Sequence, residues 1–486
     1  MTKKNNLGAD AIKISASKII SLGMTMVTTM LLSRFRTLEE YGTYSQMLLV
    51  IGLVTSVCML GLPNCINYFL ARAETREDKS RFLSVYYTLN TVLSIIIGFF
   101  LICAIPLFEV YFSNPLIKSF AFFMAIYPWT RITLSGVENL LVVYKKIKLM
   151  MIIRIADSAA VLLAVSLAVV TGISFRTYIF VYCLVEVFFA LIVYIIVVKL
   201  AGSFKVSFDK KYIAKIFKFS VPIGLAASIG TINIELDKFM IGRFFGTENL
   251  AIYTNAAKIL PVTVIMSSLT AVVFPQIVKR VKNSDKPGAV ELWKKSSQFS
   301  FIFLSMFAGI FFVFAEDIIS VLYSEKYLPG VWVFRIFNGT IMLEFTYFGM
   351  ILNSFGKTKF ILYSSMLSLC MNLVLNFVLM KIMGIEGAAI SSVASTTVIA
   401  FVQLLFSAKL LNKKVTEIMP WLEFLKCLCI TLVFVSVNMF LKKSITLEKY
   451  VGEVTESVIL SCFWCITYIL LYLKELKGLW HSLKSD

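Results

Sequence analysis

Several side chains in this sequence carry charge inside stretches that are otherwise apolar. Arg131, Ser135 and Glu138 follow one another at spacings of four and three, which puts them on one helical face. Lys18, Ser21, Thr25 and Thr28 recur at three, four and three, a polar stripe with a cation at one end. Arg154 and Asp157 lie three apart and Glu186 falls mid-stretch. Glu235, Asp237 and Lys238 cluster near a stretch end, Lys258 lies about a third of the way into the next, and Glu344 is near the middle of another. A charge at the centre of a bilayer costs about 2.5–3.5 kcal/mol on insertion scales, so each of these must meet water, a ligand or an opposite charge. A guanidinium offers an oxyanion two parallel hydrogen bonds, and a second cation nearby would add to the negative charge the pair can meet. Arg131 and Lys18 are the foremost candidates for that work, with Arg154 and Lys258 behind them. Glu138, Asp157, Glu186, Glu235, Asp237 and Glu344 are candidates for ion pairs or for carrying a coupling proton or cation. The plain alternative is structural: Arg154 with Asp157, Lys258 with Asp237 or Glu235, Arg131 with Glu138 or Glu186, and a Lys18 that snorkels to the surface.

Other chemistry is poorly supplied. The only histidine is His481, near the end of the chain, and the nine cysteines all fall in apolar stretches. Zinc, disulfide and cofactor roles are therefore not expected.

The elements that hold these charges are membrane helices. Of 486 residues 59% are hydrophobic and only 15% charged, with mean hydropathy +0.85, well beyond the ~45–50% apolar share of soluble domains. At about 20 residues per crossing, fourteen apolar segments can be marked, from 11–33 to 456–473. Gly61-Leu62-Pro63, Pro128, Pro222, Pro261 and Pro275 can bend or break them. No cleavable leader is expected, because the first segment is long and carries Lys13 and Lys18. The net charge of +19 does not point to nucleic acid, since the basic residues fall in alternate connectors: 31 on one side against 10 on the other. Both termini are expected in the cytoplasm, where the basic linker from Lys199 to Lys218 would also touch anionic lipid.

The sequence also repeats itself. Arg34-Phe35 answers Arg243-Phe244, Glu39 answers Glu248 and Tyr44 answers Tyr253, always 209 residues apart. A duplication running in one direction predicts two six-helix lobes, 1–203 and 204–412, as a parallel repeat, followed by two helices in 413–486.

Asp237-x-x-x-Ile241-Gly242, Tyr253-x-x-Ala256 and the block from Asn353 to Ala389, with Asn372, Asn376 and Gly384-Ile385-Glu386-Gly387, stand in order within this frame. Here the chain resembles the Wzx-type polysaccharide flippases of the multidrug/oligosaccharidyl-lipid/polysaccharide (MOP) exporter superfamily. The resemblance implies an all-α, MATE-like membrane protein of about fourteen helices, its lobes facing in a V. It implies a non-enzymatic flippase that moves an undecaprenyl-pyrophosphate-linked glycan, an O-antigen or capsule repeat unit, across the bacterial inner membrane by alternating access. It also implies a monomer working among membrane lipids beside a polysaccharide polymerase and a chain-length regulator. A cation-coupled multidrug antiporter of the same superfamily is the alternative, for which Glu138, Asp157 and Glu186 would form the ion pocket. A polymerase or acyltransferase would need a large outer loop or a His/Asp pair, which the sequence lacks.

The charge asymmetry yields a direct test. A reporter active only in the cytoplasm, fused after Lys484, should give full signal, and silence there would overturn the even number of crossings.

Overall fold

The computed structural model describes residues 7–258, 262–444 and 452–485, so Pro261 and residues 445–451 of the Lys442–Glu456 connector lie outside the described residues. Among the described residues the chain is helical throughout, without strands. Eleven helices are long and apolar enough to cross a membrane. The other expected crossings, around 116–142, 250–275 and 332–355, are the ones the chain builds in pieces.

The chain divides into two compact units, Met1–Ala251 and Ile252–Asp486. The first contains α1 (Leu7–Phe35), α2 (Leu38–Cys58), α3 (Leu62–Cys65) with a π-helical turn after it, α4 (Arg76–Cys103), α5 (Ile105–Phe112), α6 (Ala121–Ser135), α7 (Val137–Val143), α8 (Ile147–Thr171), α9 (Phe175–Ala201) and α10 (Lys210–Phe244). The helix α11 (Gly246–Ala256) carries the chain across the division. The second unit contains α12 (Thr263–Lys282), α13 (Lys286–Val313), α14 (Ala315–Leu322), α15 (Val331–Asn338), α16 (Met350–Ser354), α17 (Thr358–Met383), α18 (Ile385–Leu411), α19 (Val415–Ile418), α20 (Trp421–Ser444) and α21 (Glu453–Ser485).

Helix starts follow the side chains that can satisfy free amides. Thr37 and Glu40 close a capping box at α2, with Glu40 N–H donating to Thr37 Oγ1 at 3.1 Å and Thr37 N–H to Glu40 Oε2 at 3.2 Å. Thr75, Ser174, Asp209 and Asp285 cap α4, α9, α10 and α13 in the simpler one-way form. The echoed residues hold matching places: Arg34 closes α1 and Arg243 closes α10, while Tyr44 and Tyr253 lie within the helices that follow.

In the first unit, α10 is held against α2 along its length. Just before Leu62-Pro63 the chain leaves helix, with Leu60 and Gly61 both left-handed (φ 49° and 73°). Gly224 of α10 fits against that break so closely that a Cβ on it would collide with the Leu60 backbone. Farther along, Ser228 Oγ donates to Ser56 O at 2.9 Å and Ser56 Oγ to Thr231 Oγ1 at 3.1 Å. Past the end of α10, Gln46 Nε2 donates to Thr247 Oγ1 at 3.0 Å, and Gln46 Oε1 accepts from Asn114 at 2.7 Å.

The linker before α10 is held just as closely. Ser80 Oγ donates to Ser203 O (2.8 Å), Ser84 Oγ accepts from Lys205 N–H (3.1 Å) and Thr88 Oγ1 accepts from Ser207 N–H (3.2 Å). Four residues of helix rise ~6 Å and two of extended chain ~6.6 Å, so hydroxyls every fourth residue on α4 keep step with alternate linker residues. Asp209 ends the linker, where the Arg81 guanidinium beside it holds its carboxyl below the usual range.

In the second unit α13 is the most buried of the long helices. Its Ser305 meets Cys427 of α20 and Tyr468 of α21, both at 3.0 Å, and Tyr468 OH also lies 2.9 Å from Thr431. One turn on, Gly309 lets the Trp464 ring approach to where a Cβ would stand 2.8 Å from it. Asn372 and Asn376, four apart on α17, are buried and bonded to each other, and Asn372 also donates to Ser392 of α18 at 3.1 Å.

Gly224→Val should lower the thermal midpoint of the detergent-purified protein, with a loss of about 1–3 kcal/mol, since backbone and not a flexible side chain stands in the way. Gly230→Val on the same helix, where a Cβ meets nothing within 4 Å, should leave it nearly unchanged. Equal midpoints for both variants would show that the α2–α10 crossing is not tight.

Candidate functional site: a charged and tyrosine-lined cavity in the first unit

The charges of the first unit sort themselves by how α6, α7 and α8 meet. Gly136 separates α6 from α7. A Cβ there would stand 3.0 Å from Ile66 and 3.2 Å from the Tyr86 hydroxyl, which accounts for the glycine. The break takes Glu138 away from Arg131. Glu138 instead forms an ion pair with Arg154 of α8, which also reaches Ser17 Oγ of α1 at 3.4 Å. Arg154 therefore pairs with a neighbouring helix and not with Asp157 one turn along its own. Asp157 is left with a buried Oδ1 that has no hydrogen-bond partner among the described residues.

Asp157 opens instead into a cavity of about 140 Å³ in this unit, lined by Thr25, Thr28, Tyr41, Tyr44, Ser158, Tyr182 and Glu186 among others. The polar stripe of α1 supplies two of those hydroxyls, and Ser21, one turn earlier, bonds Ser158 at 2.6 Å. Glu186 is buried at 8% exposure, with Tyr182 and Asp157 as its neighbours. The Tyr182 and Tyr127 hydroxyls are 2.9 Å apart, and Tyr127 lies beside the Arg131 guanidinium. A line of polar groups thus runs from Arg131 through two phenols to two carboxylates. Rings close its flanks, with Phe123 stacked on Tyr127 at 4.5 Å and Tyr44 edge-on to Tyr182 at 6.3 Å.

Arg131 itself is exposed, as is Lys18, and neither is in an ion pair among the described residues. The tyrosines are the part of this site that charge counting passes over. Their spacing announces them: Phe123, Tyr127 and Arg131 on α6, and Tyr178, Tyr182 and Glu186 on α9, each recur at four. The remaining candidates are placed elsewhere. Glu235 pairs with Lys238 at 2.8 Å on α10 and Asp237 is buried nearby. In the second unit Lys258 donates to Asn255 Oδ1 at 3.1 Å and lies over the Tyr323 ring, while Glu344 is exposed in a 3₁₀ stretch between α15 and α16.

A cavity of hydroxyls, phenols and two carboxylates suits transport of a polar or ionic group. The family model described as polysaccharide biosynthesis protein matches residues 31–332. The chain belongs to that family. Among curated proteins it is 28% identical over 298 residues to the uncharacterized membrane protein MJ1068 of Methanocaldococcus jannaschii, covering 59% of this chain and 55% of that one. It is 23% identical to the capsular polysaccharide biosynthesis protein CapF of Staphylococcus aureus over 36% of this chain and 46% of CapF. The same identity holds to the probable low-salt glycan biosynthesis flippase Agl15 of Haloferax volcanii, over 34% and 35%. The matches thus span about half or less of these relatives' length. The fold is similar to that of the lipid II flippase MurJ in an inward closed conformation, with TM-score 0.71, 14% identity and coverage of 96% and 99%. It is also similar to an inward-facing MATE family transporter of the MOP superfamily, with TM-score 0.64, 14% identity and coverage of 83% and 98%.

The ion pair of Arg154 can be tested apart from transport. Arg154→Ala should strand Glu138 and lower stability by roughly 1–2 kcal/mol, less than the 3–5 of a fully buried pair because Glu138 keeps contact with water. Adding Glu138→Ala should recover most of that loss. If the double variant melts no higher than the single one, the pair is not what holds α7 on α8.

Proposed function

We propose that this protein is a flippase that moves an undecaprenyl-pyrophosphate-linked oligosaccharide, an O-antigen or capsule repeat unit, from the cytoplasmic to the outer leaflet of a bacterial inner membrane. It does so by alternating access between two lobes, 1–203 and 204–412, with the helices of 413–486 beside them and both termini in the cytoplasm. It acts as a monomer and hands its product to a polysaccharide polymerase and chain-length regulator. Membership of a polysaccharide biosynthesis family and the MurJ-like fold support the substrate class.

One observation carries the mechanism: Arg131 is a mid-segment guanidinium whose nearest sequence-level acid, Glu138, is taken by Arg154. A guanidinium in no ion pair among the described residues is suited to a diphosphate, which carries about two negative charges and cannot enter a low-dielectric cleft unneutralised. Lys18 supplies the second cation. Arg154 and Lys258 tune the field from their own hydrogen-bonded positions, and Glu235, Asp237 and Glu138 fix neighbouring cations. Asp157 and Glu186, sharing one cavity, take the coupling proton or cation.

Surface polysaccharide at matched expression checks this. Arg131→Lys should retain partial transport, because charge survives without two-pronged geometry, whereas Arg131→Ala should abolish it with protein level intact. Wild-type polysaccharide in Arg131→Ala cells would end the reading.

A further inference from the structure

In the second unit a proline-bearing helix lies beside a broken one. Pro275 sits inside α12 and cannot donate to the carbonyl one turn back. Between α15 and α16 the chain leaves α-geometry altogether: Gly339–Phe345 is 3₁₀, Thr346 is fully extended (φ −153°, ψ 158°), and helix resumes at Met350. The proline turn and the break touch, with the Phe274 ring edge-on to the Tyr347 ring at 6.4 Å. From α13, Trp293 Nε1 donates to Thr346 Oγ1 at 2.6 Å and pins the extended residue. Unwound backbone cannot face hydrocarbon, so such a stretch is tolerated where it is buried in protein or lines a water-filled cavity.

Three polar groups stand at this break. Glu344 is exposed and makes no hydrogen bond or ion pair among the described residues. Tyr347 is 38% exposed, and Asn353 Nδ2 donates to its hydroxyl at 3.3 Å. In a 3₁₀ helix residues three apart eclipse. Gly339 and Met342 line an apolar groove with α13 and α20, and Phe345, next on that stripe, packs against Phe301 and Phe424 at 5.5 and 4.8 Å. Glu344 lies a third of a turn off the stripe, away from the apolar side. A mid-segment carboxylate so placed needs water, or a ligand that replaces it.

We propose that Glu344, Tyr347 and Asn353 form a subsite for one sugar ring, taking neutral and amino sugars and refusing uronic acids. The carboxylate accepts from vicinal hydroxyls or from a sugar ammonium, the phenol ring covers the C–H face of the sugar, and the amide adds a donor and an acceptor. A uronic acid would bring a second carboxylate against an unpaired one where the dielectric is low, which is how the site discriminates. The inference rests on the flippase reading and adds to it which part of the glycan the second unit holds.

The test uses the purified full chain in lipid nanodiscs, titrated calorimetrically with chitotriose, its fully N-deacetylated trimer and trigalacturonate. Wild type should bind the first two at least about tenfold more tightly than the third, a 1.4 kcal/mol discrimination. Glu344→Gln should weaken the deacetylated trimer about tenfold and bring trigalacturonate to within about threefold of chitotriose, the discrimination being electrostatic. Tyr347→Ala should weaken all three, and Tyr347→Phe should restore most of the binding. Absence of charge preference in wild type, or an unchanged preference in Glu344→Gln, overturns the proposal. So does a sodium-dependent rise in melting temperature that Glu344→Gln abolishes while sugar binding stays intact, since Glu344 would then be a cation ligand. Failure of the flippase reading looks different: reconstituted vesicles would not translocate a lipid-linked oligosaccharide although the sugar discrimination persists.

Discussion

Hydrocarbon solvates neither a charge nor an unpaired amide, and nearly every departure from regular helix in this protein answers to that constraint. Where a helix stops within a crossing, something takes up the loose groups or lets chains close over them. Leu60 and Gly61 turn left-handed against Gly224, Gly136 admits Tyr86, and Thr346 is pinned by Trp293. Where a charge enters, either another helix answers it, as Glu138 answers Arg154, or it stays exposed, as Arg131 does.

The same constraint explains why polar side chains carry so much of the packing. Two apolar helices gain little from each other over lipid, so specificity falls to small residues and hydroxyls. Ser56, Ser228 and Thr231 join α2 to α10, and Ser305, Thr431 and Tyr468 join α13 to the last two helices. Each contact is modest, but each fixes a register that apolar surfaces would leave free.

Much of this was legible in the sequence, and the rest was not for identifiable reasons. Hydropathy marks the long helices because twenty apolar residues in a row have few other uses, and the basic connectors separate them. Of the crossings that fragment, two break at glycines, Gly136 and Gly339, where local propensity overrides length, while Pro128 and Pro275 sit inside helices that continue through them. Candidate charges could be recognised by type, but their partners could not. A spacing of three suggests Arg154 with Asp157, and only the contact of α7 with α8 reveals Glu138 as the partner. Tyr127 and Tyr182 escape because a phenol in an apolar helix reads as bulk until a second helix brings another hydroxyl to 2.9 Å.

The three hydroxyls of α4 that hold residues 203–207 have a mechanical consequence. A connector laid along a helix in matched register has no slack to give. The start of α10, anchored by Asp209 to Arg81, is therefore denied any sliding along α4. The joint works as a pin and not as a rope, and because α10 is also held against α2 farther along, α4, α10 and α2 shift together or not at all.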